Sequence, residues 1–172
     1  MEISYREAPF LSAPRWRPLP QSYFPALPFP VPEIPCLRLE EAMAEKLRAI
    51  RERATERDLY DAGRYGKKGF DPAMVRLLTP GKLWNDRQAL DPDRILRAPT
   101  EGRREWPDLE RLIGRGRRQD WNRMARDATQ RFSFLRSLTP FEKELGLDAR
   151  RHRLSTPLKH ALTRYETPST DT

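Results

Sequence analysis

Residues 37–65 read LRLEEAMAEKLRAIRERATERDLYDAGRY, and this stretch decides the fold. Its first half has glutamates at the start and arginines towards the end, an order that suits the dipole of a helix. Apolar side chains recur at helical spacing and form one stripe. They are Leu39, Met43, Leu47, Ile50 and Ala54. The pattern predicts a helix over residues 39–53 and a second helix over residues 56–65, before the glycines that follow.

Three charged side chains in this stretch have two interpretations each. At 100° per residue, Lys46 falls at the margin of the apolar stripe, so it points towards the protein body more than towards water. A lysine in such a place often extends its ammonium to the surface; alternatively, it is a fixed cation in a cleft that binds a phosphate. Asp58 and Asp61, three residues apart, lie on one face of the second helix. Acids in a first helical turn also stabilise the helix by themselves, so the pattern alone leaves both interpretations open.

The segment before this stretch is rich in proline. Nine prolines lie between Pro9 and Pro35, which excludes a helix or a central strand there. Its many apolar side chains are unusual for a solvated linker, so we expect an extended segment that lies across the surface of a folded body rather than a disordered linker. Alternating polar and apolar residues predict a strand over residues 2–7, and a second short strand is predicted over residues 36–38.

Residues after the opening stretch predict short helices joined by loops. The helices are expected over residues 72–78, 92–97, 107–113 and 120–135, and a further one begins at Pro140. Pro80 is expected to break or bend the chain, and Thr139 with Glu142 has the sequence of a capping box. The protein is thus predicted to be α+β and mostly α. Its expected regions are an extended segment with a small sheet at residues 1–38, a helical region at 39–145 and a basic tail at 146–172.

Composition narrows the class of protein. The chain has 172 residues, with 33 lysines and arginines against 25 acids, giving a formal net charge of +8. That excess favours contact with the phosphates of a nucleotide or nucleic acid, although interspersed acids also fit a solubilising surface. The single cysteine, Cys36, excludes an intrachain disulfide and a CxxC metal pair. There is no run of about 18 apolar residues and no signal peptide, so we expect a cytoplasmic protein without a membrane span.

The opening stretch resembles the central signature of the AbiEii/AbiGii toxin family of nucleotidyltransferases, which are similar to polymerase-β-like nucleotidyltransferases. That signature has the form EE-x-x-AEK-x-x-A, followed by a basic stretch and RD-x-x-D. The matching residues here are, in order, Glu40, Glu41, Ala44, Glu45, Lys46, Ala49, Arg57, Asp58 and Asp61. EISYREAP before the signature, and FDPAMVRLL, KLWND and WPDLERLI after it, also resemble the family. The resemblance covers about residues 2–145.

This resemblance implies transfer of a nucleotide from an NTP to an RNA, such as a tRNA, or to a protein acceptor. It also implies a role in a toxin–antitoxin system of abortive phage infection, with a cognate antitoxin as partner and Mg²⁺ as cofactor. Lys46 would contact the nucleotide phosphates and Asp58 would be the catalytic acid, with Asp61 as its supporting mate. Arg57 would contact phosphate or brace the acids. Glu2 would be a metal ligand.

One family motif has no counterpart in this sequence. The family begins with a Gly-Gly or Gly-Ser turn and a paired D-x-D or D-x-E that binds the metals. The eight glycines here never form GG or GS, and the only D-x-D is Asp91-Pro92-Asp93. We therefore expect the C-terminal portion of a truncated protein, with a remnant of the nucleotidyltransferase sheet. We expect it to bind neither Mg²⁺ nor NTP alone and to be inactive by itself.

Two functions of other classes stay open. The first is a non-enzymatic basic helical module that binds RNA or DNA, in which tryptophans among arginines stack on bases. The relevant residues are Trp16, Trp84, Trp106, Trp121 and the GRGRR run at 114–118. The second is an interaction protein that retains only the surface for an antitoxin. For each tryptophan the competing interpretation is a place in the core.

Overall fold

The computed structural model describes residues 8–53, 55–101, 120–147 and 155–166. The elements in chain order are β1 (Arg15–Trp16), β2 (Ile34–Pro35), α1 (Leu39–Glu52), α2 (Glu56–Tyr65), α3 (Pro72–Asn85), α4 (Pro92–Glu101), α5 (Trp121–Arg131), α6 (Pro140–Gly146) and α7 (Ser155–Glu166). Short 3₁₀ helices span Phe24–Ala26 and Ser133–Arg136. The predicted class, α+β and mostly α, is confirmed. Within the described ranges, every helix is too short or too polar to span a membrane.

Helix α1 is the centre of the packing, as its apolar stripe predicts. It contacts α2, α3 and α4 and contributes side chains to two hydrophobic clusters. The first cluster joins α1 to α2, α4 and α5 and contains Met43, Leu47, Ile50, Leu59, Ala62, Val75, Ile95, Leu96, Ala128, Phe132 and Leu135. The second joins α1 to α3, α6 and α7 and contains Leu11, Ala44, Met74, Leu77, Leu78, Trp84, Leu145, Leu158 and Leu162. Because α1 packs against both clusters, its rotation about its own axis is set by that packing. The directions in which its charged side chains leave the helix are therefore set as well.

The small sheet differs from the prediction. No strand forms over residues 36–38; instead β2 lies two residues earlier and pairs antiparallel with β1, with Trp16 opposite Ile34. Pro35 is tolerated because an edge position needs no N–H from it. The pairing ends where the Cys36 N–H donates to the carbonyl of Pro14 at 2.9 Å. The strand predicted over residues 2–7 lies outside the described residues.

The proline-rich segment lies on the folded body only at its beginning. Leu11 is buried in the second cluster, and Phe10 packs against that cluster. From β1 onwards, Phe24, Leu27 and Val31 are half-buried, and the other large apolar side chains are exposed. The large exposed ones are Trp16, Leu19, Tyr23, Phe29 and Ile34. The expectation of an extended segment across the surface thus applies to its first residues, whereas residues 15–35 form an arm closed by β1 and β2.

Helix α3 continues through Pro80, so the break that was one of the two expected outcomes there does not occur. Proline inside a helix costs about 3 kcal/mol because one hydrogen bond is lost. Beyond Pro80, however, Leu83 and Trp84 are both buried, and each such side chain contributes roughly 1.5–3 kcal/mol. Their burial outweighs the cost of the proline. Helix α4 likewise extends past the predicted end at Arg97, with Pro99 inside it.

Other boundaries follow the prediction more closely or lie outside the described part. Helices α1 and α2 form as predicted, and the capping box of Thr139 and Glu142 is present at the start of α6. The predicted helix at 120–135 divides into α5 and a 3₁₀ helix. The predicted helix at 107–113 lies outside the described residues. Within the expected basic tail, α7 forms and buries Leu158 and Leu162; the division of the chain into three regions stays a prediction.

Candidate functional site

Lys46 and Asp61 meet across the interface of α1 and α2. The Lys46 Nζ lies 2.8 Å from Asp61 Oδ2, and the two side chains are 26% and 29% exposed. Lys46 is therefore at the edge of the body, as its place beside the apolar stripe predicts. The pair is held by two packed helices yet remains open to solvent on one side. Such a cation and carboxylate can both contact a ligand.

Asp58, predicted to be the essential acid, is in a different environment. Its side chain is fully buried. Arg53 donates to both carboxylate oxygens, at 2.8 and 3.0 Å, and the Thr55 hydroxyl donates to Oδ2 at 2.6 Å. Burial acts to raise the pKa of Asp58, but the hydrogen bonds from Arg53 and Thr55 and the charges of Arg53 and Lys46 outweigh it and lower the pKa. Asp58 thus joins the end of α1 to the first turn of α2, and its oxygens already have donors.

The other two predicted site residues are Arg57 and Glu2. Arg57 is exposed on α2, beside Asp58 in sequence but on the solvent side. Glu2 lies outside the described residues. The structure therefore brings together Lys46 and Asp61 directly, and places Asp58 behind them. Their roles stay predictions.

A buried ion network between α1 and α3 was not predicted. Lys82 of α3 is 1% exposed, and its Nζ lies 2.7 Å from Glu41 Oε1 and 3.3 Å from Glu45 Oε1. The Glu41 carboxylate also accepts from the backbone N–H groups of Phe10 and Leu11, at 2.7 and 3.1 Å. Two glutamates of the signature therefore serve the fold. The sequence did contain a hint of this network. Glu41 and Glu45 are four residues apart on the inner side of α1, and two acids buried there need a nearby cation to balance their charge.

Arg48 extends this network to the end of α3. It donates through Nε to Glu45 Oε2 at 3.0 Å and through Nη1 to Asp86. Burial acts to lower the pKa of Arg48, but hydrogen bonds to Asp86 and Glu45 raise it above its ordinary value. These contacts hold one side of α1 against α3, and they thereby set the direction in which the neighbouring face of α1, with Lys46, points.

An open cleft of about 690 Å³ lies one helical turn from the ion pair. Ala42, which lines it, precedes Lys46 by four residues in α1; Tyr65, which also lines it, follows Asp61 by four residues in α2. Residues four apart are neighbours on a helix surface, so the cleft borders the ion pair. Its volume is within the range of small-molecule sites, about 300–1,000 Å³.

The described residues do not fit a divalent cation. Among them, no group of three or more histidines, cysteines, aspartates and glutamates could hold a metal ion. The only D-x-D of the sequence has other contacts. Asp91 Oδ1 accepts from the Arg94 N–H at 3.0 Å at the start of α4, and Asp93 Oδ1 lies 3.1 Å from Arg136 Nε. These acids cap and brace a helix.

The tryptophans divide between core and surface. Trp84 is buried, and its indole N–H donates to the Leu145 carbonyl at 3.1 Å, so it is a core residue and not a base-stacking one. Trp16 is 63% exposed and lines the cleft. Trp106, the side chain of Trp121 and the run at 114–118 lie outside what the structure describes.

The chain is similar to known nucleotidyltransferase toxins in sequence and in structure. The sequence profile of the nucleotidyl transferase AbiEii toxin family, of type IV toxin–antitoxin systems, matches residues 1–135. The nucleotidyltransferase toxin MenT4 from Mycobacterium tuberculosis is similar in structure, with a TM-score of 0.65 and 28% sequence identity. The similarity covers 84% of this chain and 51% of that one, so this chain spans about half the length of the mycobacterial toxin. No curated protein sequence matches the chain.

Proposed function

The chain belongs to the AbiEii family of nucleotidyltransferase toxins, and on that basis we propose that Lys46 and Asp61 form the nucleotide-facing half of a transferase site. The observation that carries this proposal is their ion pair, 2.8 Å long and open to solvent on one side. In nucleotidyl transfer, an acceptor oxygen bonds to the α-phosphorus of an NTP while the bond to pyrophosphate breaks. Catalysis of phosphoryl and nucleotidyl transfer depends mostly on positioning and charge.

Lys46 supplies the positive charge in this proposal. Its ammonium has three N–H donors, of which one is directed at Asp61, so two remain for phosphate oxygens. Asp61 keeps the ammonium at a fixed place between α1 and α2 before the nucleotide binds. Its own partial exposure supports a contact with the ligand or with the acceptor.

Asp58 acts as a positioning residue rather than as the catalytic acid that its motif suggests. Its burial and its three side-chain donors support this assignment, because a carboxylate so occupied has little capacity for a substrate. It holds α2 against the end of α1 and thereby sets the position of Asp61 one turn later. Arg57, exposed on the same helix, remains a candidate for phosphate contact.

The proposal includes no step through a metal. In nucleotidyltransferases Mg²⁺ neutralises phosphate charge, but the described residues do not fit such an ion. We infer that this chain alone transfers no nucleotide. The role of Glu2 as a metal ligand stays a prediction.

RNA is the acceptor that the charge distribution favours, and a cognate antitoxin is the expected partner. The net charge is +8, and four cations on α2 or directly after it are exposed. They are Arg57, Arg64, Lys67 and Lys68.

The same cations support the second candidate function, a non-enzymatic module that binds RNA or an antitoxin. Binding to tRNA that falls steeply with salt, without any transfer of label, is the result that the second candidate requires.

The experiment is transfer of label from each of the four α-³²P-NTPs onto tRNA. We expect none with this chain. In a family member that carries the paired acids, substitutions corresponding to Lys46→Ala and Asp61→Asn should abolish transfer, whereas the one corresponding to Asp58→Asn should lower the amount of folded protein. Transfer that survives the lysine substitution would overturn the proposed site. Transfer by the isolated chain would overturn its inactivity.

A further inference from the structure

The cleft beside Lys46 has two aromatic walls. Trp16 of β1 and Tyr65, the last residue of α2, both line it. The Trp16 side chain is 63% exposed although it is among the largest apolar side chains. Tyr65 is half-buried against the first hydrophobic cluster, which gives its ring a fixed position. A fixed aromatic and an exposed one at a single cleft are suited to a flat, π-bearing ligand.

The polar groups of the cleft favour an anion. Arg38 and Lys68 line it. The Arg38 Nη2 donates to the Ser12 hydroxyl at 3.3 Å, and in the part of the chain that the structure describes neither cation is in an ion pair. Glu40 also lines the cleft, but its Oε1 accepts from the Asp71 N–H at 3.2 Å. The two cations therefore dominate the charge available to a ligand.

We propose that this cleft binds the base and ribose of a nucleoside triphosphate, with the base stacked on Trp16 and the phosphates directed past Lys68 to Lys46. The position of the phosphates rests on the proposed function; the base site rests on the cleft itself. Trp16, Arg38, Tyr65 and Lys68 then determine which nucleotide is bound. The chain alone binds NTP at about millimolar concentration, in contrast to the expectation from its sequence that it binds none.

Cys36 gives a direct readout of occupancy. It is the chain's single cysteine, it is partly exposed, and it lines the cleft. The rate of its alkylation by iodoacetamide, followed by mass spectrometry of the intact chain, is measured with ATP, GTP, CTP or UTP and with inorganic tripolyphosphate. At least one NTP should slow alkylation severalfold. It should reach half-protection at a concentration roughly tenfold below that of tripolyphosphate, because the base adds a stacking contact.

Matched variants assign the effect to residues. Trp16→Ala should remove the roughly tenfold advantage of the NTP over tripolyphosphate, and Trp16→Phe should retain most of it. Phe29→Ala is the control, because Phe29 is similarly exposed on the same arm but is not among the residues that line the cleft. Lys68→Ala should weaken protection by both ligands, whereas Lys67→Ala, at an exposed neighbour outside the cleft, should change neither.

Failure of this inference differs from failure of the proposed function. Alkylation that no NTP slows, or protection that Trp16→Ala leaves intact, overturns the base site even if transfer by a complete family member requires the lysine at the position of Lys46. Conversely, protection that depends on Trp16 supports the base site even where transfer survives the substitution corresponding to Lys46→Ala. Equal protection by NTP and tripolyphosphate shows a phosphate site only and overturns the proposal.

Discussion

Arg53 and Asp58 are joined by two hydrogen bonds, from Nε to Oδ2 at 2.8 Å and from Nη2 to Oδ1 at 3.0 Å. They connect the residue after α1 to the first turn of α2, and the Asp58 side chain is fully buried there. The contact therefore determines how the two helices that carry Lys46 and Asp61 meet. Its removal should affect the fold before it affects any chemistry.

Asp58→Asn should lower the free energy of unfolding by about 2 kcal/mol, because the amide that replaces the buried carboxylate carries no charge to pair with Arg53 and cannot accept both of its hydrogen bonds. Urea denaturation followed by circular dichroism measures the change. Asp61→Asn is the control. Its pair with Lys46 is partly exposed, so the loss should be below about 1 kcal/mol. Equal losses for the two variants would contradict the structural role assigned to Asp58.

The lowered pKa of Asp58 predicts a pH dependence of stability. A carboxyl whose pKa is lower in the folded than in the unfolded protein stabilises the fold above the unfolded pKa, about 4. That contribution is lost as pH falls through the folded pKa. The stability difference between wild type and Asp58→Asn should thus be constant from neutral pH to about pH 5 and should narrow below about pH 4. A difference that grows on acidification would mean that the pKa is raised instead.

Lys82→Ala should destabilise the protein by about 3–5 kcal/mol, because it leaves Glu41 buried without its cation. Glu41→Gln combined with Lys82→Met removes both charges and should recover part of this loss, since no uncompensated charge remains. Recovery will be incomplete because the Glu41 carboxylate also accepts from the N–H groups of Phe10 and Leu11. Guanidinium denaturation of Glu41→Gln, Lys82→Met and the double variant, each against wild type, forms the mutant cycle. Additive losses would show that the two charges are not coupled.

The sequence predicted those parts of the fold that depend on local pattern. Helices α1 and α2 followed from the apolar stripe and its flanking charges, and the capping box from Thr139 and Glu142. Helix α3 was predicted too short because a local rule about Pro80 cannot take account of the tertiary contacts that bury Leu83 and Trp84. Helix α7 was missed because two leucines four residues apart make a short stripe, which only the second cluster stabilises.

The site was predictable to a similar extent. Family spacing pointed to Lys46 and to both acids of RD-x-x-D, and Lys46 and Asp61 do form a pair. Spacing did not distinguish Asp58 from Asp61, because residues three apart share one face of a helix. The difference arises from Arg53, which turns back after α1 and engages Asp58. Contacts across a turn of this kind depend on three-dimensional packing, as does the cleft that joins β1 to the end of α2.

Exchange of the charges at positions 46 and 61 separates an ion pair that only supports the fold from one that binds phosphate. The double variant Lys46→Asp/Asp61→Lys keeps opposite charges across the interface of α1 and α2. Its free energy of unfolding should therefore stay within about 1 kcal/mol of wild type, since a partly exposed pair contributes little. Protection of Cys36 by tripolyphosphate should fall, because the cation has moved from α1 to α2 and an acid now occupies the place of the ammonium. Lys46→Ala should lose protection as well, whereas Lys67→Ala should keep it. If the exchanged pair binds tripolyphosphate as well as wild type does, the position of Lys46 has no part in binding phosphate.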